Sequence, residues 1–173
     1  EPHILRLHTW VGYDVDGRGD IFWNDSFSKR LKVKVNQLKI YKKKVEKILS
    51  KANSKTLISK LSKIKLRLNN AISSNQKVLK SFESKTFLNN FDEIKHISNF
   101  MHKNKEKLLT TIKPLTFEIQ NIVNDLKSGN IKERNIILDE IILFKILIIN
   151  CGLGLGRTQF RLNANQLNNA ISR

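Results

Sequence analysis

The chain has 173 residues, a net charge of +17 and one cysteine, Cys151. That length suits a single domain with a real core, and one cysteine excludes an internal disulfide. The most apolar run, Ile136 to Ile149, carries Asp139, Glu140 and Lys145, too many charges for a membrane span, and no apolar stretch follows a basic start as a secretory signal requires. The composition therefore predicts a soluble, cytoplasmic protein. Glu1 in place of a methionine, a strand pattern starting at residue 4 and a helical pattern still open at Arg173 give the expectation that both ends are truncated.

The charge is unevenly placed. Residues 29–113 hold 23 Lys or Arg and 5 Asp or Glu, whereas the remainder holds 9 and 10. Lys outnumbers Arg by 24 to 8, and aromatic residues are missing from the lysine-rich runs. Sequence-specific readers of nucleic acid lean on arginine, and single-strand binders on aromatic platforms. The excess thus reads first as solvated helix faces, with a basic helical nucleic-acid-binding protein using residues 29–113 as the alternative.

Residues 4–11 alternate apolar and polar side chains, the period of a strand. His8 and Trp10 share one side of that strand, and His8 reads as a hydrogen-bonded structural histidine. Gly12 to Asp20 form a tight loop with three Gly and three Asp. Counted as a calcium loop from Asp14, it has Gly19 at the sixth position, but Arg18 at the fifth and Asp25 at the twelfth do not fit. The aspartates read instead as residues that fix a strand-end turn.

Asp25 or Ser26 is the expected N-cap of a long helix ending near Ser50. Phe27, Leu31, Val35, Leu38, Tyr41, Val45, Ile48 and Leu49 give it one apolar stripe. Trp23 reads as a packing residue. A second helix carries Leu57, Leu61, Ile64, Leu68 and Ile72, and the short link predicts an antiparallel hairpin. From Ser74 to Lys113 the pattern weakens to shorter helices. Pro114 opens the next helix, and Gly129 ends it as a left-handed cap. The helix from about Ile131 to Asn150 is apolar nearly all round, so the deepest burial is expected there. Gly152 stops it, and Leu155 to Leu162 reads as a second strand.

Gly152, Gly154 and Gly156 follow a helix and precede a strand. A dinucleotide fingerprint needs the reverse order, so these glycines are read as a helix stop and close-packing residues. Arg157 and Arg161 lie four apart on the second strand and share a face. Two such arginines make either an anion site or a solvent-facing pair.

Two segments carry a resemblance. Trp10, Gly12, Asp14, Asp16 and Gly17 match the tryptophan–Gly-Gly-Asp-Arg-Asp-Gly-Asn-Pro motif of the phosphoenolpyruvate carboxylase family. Tyr13 replaces its second glycine, Val15 its arginine and Arg18-Gly19 its Asn-Pro. The later segment resembles the family's apolar helix ending in Phe-Gly and its strand Asp-Ile-Arg-Gln. Gly152 and Arg161 match, while Gln159 and Leu162 replace the aspartate and the glutamine.

The resemblance implies an internal fragment, inactive alone, of an enzyme that joins bicarbonate to phosphoenolpyruvate, giving oxaloacetate and phosphate. It implies Mg²⁺ or Mn²⁺ held by residues outside this chain, and a homo-oligomer at full length. Arg161 would be the catalytic and substrate-binding arginine, Arg157 a second substrate contact, and the Trp10–Gly17 loop would shape the site. The implied fold is mainly α: a strand and loop over residues 1–25, a helical insertion over 26–151, and a strand and helix start over 152–173. Together these would be part of an eight-stranded α/β barrel.

Overall fold

In a computed structural model, the described residues are 8–9, 22–84, 90–154 and 157–158, with the four extended ones described by their backbone alone. They contain six helices: α1 (Trp23–Leu49), α2 (Lys55–Phe82), α3 (Phe91–Lys103), α4 (Lys105–Leu108), α5 (Lys113–Lys127) and α6 (Asn135–Cys151). Two two-residue extended stretches, β1 (His8–Thr9) and β2 (Arg157–Thr158), pair in parallel. The expected architecture is thereby corrected. Among the described residues the chain is a helical bundle, not long helices flanked by strands of an α/β barrel. Two rungs of pairing make no sheet layer for helices to cover.

The bundle grows from the α1–α2 hairpin. Leu38, Tyr41 and Val45 of α1 meet Leu57, Leu61, Ile64 and Leu68 of α2, each no more than 1% exposed. Burying a side chain of this size contributes about 1.5–3 kcal/mol. The pairing is antiparallel: the Asn24 amide reaches the Phe82 carbonyl at one end, and Lys65 pairs with Glu46 towards the other. Glu133 fastens the turn, its carboxylate accepting from the N–H groups of Asn53 and Ser54 at 2.7 and 2.9 Å. Those backbone bonds, Ser54 first, hold the Glu133 carboxyl below the usual range.

Several boundaries differ from the sequence reading. The N-cap of α1 is Phe22, and Asp25 sits three residues on, its carboxylate accepting from the Phe22 N–H at 2.9 Å. Phe27 is 46% exposed and stacks on Phe82 instead of entering the core. α2 continues ten residues beyond Ile72 because its buried row passes through a polar residue. Asn75 is 1% exposed and donates to the carbonyls of Ala71 and Leu108, at 2.7 and 2.9 Å. α6 starts at Asn135 and buries a single row, Ile137, Ile141, Phe144 and Ile148. Ile136 and Leu143 are more than half exposed, so this helix is not buried all round.

The glycine stops behave as read: Gly129 lies just past the end of α5 at φ +78°, and Gly152 ends α6 at φ +56°. Leu109 is the described non-glycine residue in the left-handed region, at φ 53° and ψ 72°. Its neighbour Leu108 packs with Leu31, Val78, Phe82 and Ile97, whereas Leu109 packs in the main core. Adjacent side chains committed to two different clusters force the chain to reverse between them. That conformation costs about 1–2 kcal/mol.

Candidate functional site

The place where the two ends of the helical region converge is the candidate site. α6 ends at Cys151, and the chain turns at Gly152-Leu153-Gly154 across α1 before reaching β2. The Tyr41 hydroxyl, rooted in the core, donates to the Gly152 carbonyl at 2.5 Å. Burial, with a smaller contribution from Cys151, holds the Tyr41 phenol protonated far above its ordinary range. Tyr41 is therefore a fixed donor that pins the turn.

Gly154 brings the turn against α1. It is buried at φ +145°, and a Cβ there would stand 2.9 Å from Val33 Cγ1 and 3.1 Å from an Arg30 guanidinium nitrogen. Both the backbone angle and the space select glycine. β2 then follows, with His8 opposite Arg157 and Thr9 opposite Thr158 in parallel register. Two segments far apart in the chain thus lie side by side, joined by backbone pairing.

Of the residues predicted for the site, Arg157 is placed by its backbone opposite His8. Trp10, Gly12, Asp14, Asp16, Gly17 and Arg161 lie outside the described residues. Trp23 opens α1 and packs edge-on against Phe27 and Phe82. Among the described residues no group of three or more His, Cys, Asp or Glu side chains could hold a metal ion, and no helix is long and apolar enough to cross a membrane.

Arg30 and Lys34 were missed by the sequence reading, which gave the whole lysine excess to solvated faces. Both are only partly exposed. Burial first, then the charge of Arg30, lowers the Lys34 pKa to about 8. An anion close to this pair would relieve the repulsion and favour the ammonium. The signal was present in the spacing: Arg30, Lys34, Gln37 and Tyr41 follow three- and four-residue steps, so two cations share the face of a core tyrosine.

Comparison of the chain with protein-family models, curated proteins and solved structures finds no significant match.

Two outcomes follow from this geometry. Gly154→Ala should destabilise the chain by about 1–3 kcal/mol in urea denaturation, and adding Val33→Ala should restore part of the loss by opening space for the new methyl group. Full stability in Gly154→Ala would show that the turn does not press on α1. For Lys34 the folded pKa lies below the unfolded one, so the unfolded chain binds more protons between about pH 8 and 10.5. Stability should rise with pH across that window, and fall back below it, where the ammonium is charged in both states. The rise should shrink in Lys34→Met, as read from melting temperatures at pH 7.5 and 10.

Proposed function

We propose that this chain is part of a phosphoenolpyruvate carboxylase-like enzyme, with the helical bundle serving to bring two site-forming segments together. The observation that carries the reading is the parallel pairing of His8–Thr9 with Arg157–Thr158. It sets the start of the Trp10–Gly17 loop beside the segment that leads to Arg161. The cationic pair Arg30 and Lys34, against the turn that enters the second segment, supports an anionic substrate there.

In this reading Arg161, with Arg157 beside it, neutralises the phosphate of phosphoenolpyruvate and the charge of the developing enolate. A positioned cation lowers the barrier most where charge develops in the transition state. The Asp14 and Asp16 loop shapes the adjoining wall. Mg²⁺ or Mn²⁺ would bind to residues beyond this chain and polarise the enolate oxygen. Bicarbonate supplies the carbon, and oxaloacetate and phosphate leave. The full-length enzyme is expected to form a homo-oligomer.

The test is Arg161→Ala in the enzyme that contains this chain, followed by bicarbonate fixation into oxaloacetate. kcat/KM should fall by roughly 10²–10³. Near-normal activity would remove Arg161 from the site, and an intact protein that fixes no bicarbonate would end the carboxylase reading.

A second reading is favoured by one feature of α1. Lys29, Lys32, Lys39, Lys43 and Lys47 are all exposed and fall in one three- and four-residue register. That row runs about 27 Å at 1.5 Å per residue, long enough to follow a nucleic-acid backbone. Binding to duplex DNA should then weaken by about 0.9 log units per log unit of salt for each phosphate neutralised. Charge reversal of Lys39 and Lys43 should lower that slope; an unchanged slope would take the row out of any such contact.

A further inference from the structure

A cavity of about 530 Å³ opens between α2 and the corner that joins α4 to α5. Lys63 and Arg67 line it from α2, and Lys105 and Lys107 from α4. Glu106 is the one acid among its lining residues. Arg67 is already engaged by Glu118 at 2.9 Å. The three lysines are exposed and form no ion pair among the described residues. On a convex helix face such charges spread apart; here two separate elements turn them onto one concave surface.

The corner is built to hold that arrangement. Leu109 lines the cavity in its left-handed conformation, fixed because Leu108 and Leu109 belong to different cores. The reversal places Lys105 and Lys107 before it, and Thr110 and Thr111 after it, around the same space. Asn75 secures the corner from α2 through the Leu108 carbonyl. Strained backbone of this kind persists where the surroundings over-determine it, often at binding sites.

We propose that this cavity binds a phosphorylated small molecule. Ammonium groups bind phosphate oxygens as point charges, whereas a carboxylate is best held by the planar fork of arginine, and the arginine here is committed to Glu118. Hydroxyl donors stand beside the lysines. Thr111 Oγ accepts from the Lys113 N–H at 3.2 Å, which leaves its own O–H to donate. Pro114 and the exposed Leu66 give the rest of the ligand an apolar wall. The site shares no residue with the end closure and stands whether or not the carboxylase reading does.

Inorganic pyrophosphate is the probe, titrated into the 173-residue chain at constant ionic strength, with calorimetry and backbone amide shifts as readouts. One saturable site is expected, with shifts centred on Lys63, Lys105, Lys107, Thr110 and Thr111. The double variant Lys63→Gln, Lys107→Gln should weaken binding by about tenfold or more, at roughly 1.5 kcal/mol or more per charged contact. The control double variant Lys39→Gln, Lys43→Gln removes the same charge from the α1 row and should leave the affinity nearly unchanged. All four lysines are exposed, and matching circular-dichroism melts would establish that each variant folds. Equal weakening by both pairs, non-saturable binding or no binding would overturn the proposal. So would the same shifts produced by duplex DNA and not by pyrophosphate, which would assign the cavity to the polyanion reading.

Discussion

The seam between α1 and α2 is the constraint on which the other elements depend. Tyr41 and Leu38 from one helix and Leu57, Leu61, Ile64 and Leu68 from the other are sealed from solvent along it. Neither helix could hold its shape in water through propensity alone, because most helical stability in proteins comes from packing an amphipathic face. With the seam closed, α5 and α6 add Leu115, Ile119, Ile137, Ile141 and Ile148 to the same core. Ion pairs then lace the margins: Lys51 with Glu140, and Lys60 with Asp125. Exposed pairs of this sort contribute little to stability, so the apolar seam carries the fold.

Tyr41 links that seam to the candidate site. Its ring packs edge-on against Phe144 at 6.0 Å, and its hydroxyl holds the Gly152 carbonyl. One residue thereby couples the core of the hairpin to the turn from which the second segment departs. Gly154 then sets how closely that turn approaches α1, and the approach leaves Arg30 and Lys34 beside it. The end closure is thus a consequence of core packing, not of an independent loop structure. A conformational change there would have to disturb Tyr41.

The lysine excess divides into three physical situations. Most lysines are solvated, as the row on α1 is. Lys34 is partly desolvated beside Arg30, where an ammonium is costly. Lys63, Lys105 and Lys107 converge on a cavity. Composition treats all of these alike. Whether a lysine repels ions, attracts them or simply keeps the chain in solution depends on the shape of the surface that carries it.

How much was legible follows the range of the interactions. The α1–α2 hairpin was readable from the stripes through Leu31 to Ile48 and Leu57 to Ile72, because amphipathic periodicity is a local property. The stops at Gly129 and Gly152 were readable for the same reason, since a left-handed angle selects glycine at one position. The length of α2 was not, because Asn75 is buried only through a carbonyl supplied from residue 108. The single buried row of α6 was hidden by a segment apolar on every side, in which sequence cannot say which isoleucines meet a neighbour. The left-handed Leu109, the cavity beside it and the partial burial of Lys34 all arise from contacts between distant segments. The sequence by itself determined the helices, their stops and the charge they carry, all of which rest on interactions within a few residues. Only the tertiary structure decided which faces are buried, that the described core is a helical bundle, and that His8 and Arg157 are neighbours, because those outcomes depend on long-range packing that no local pattern encodes.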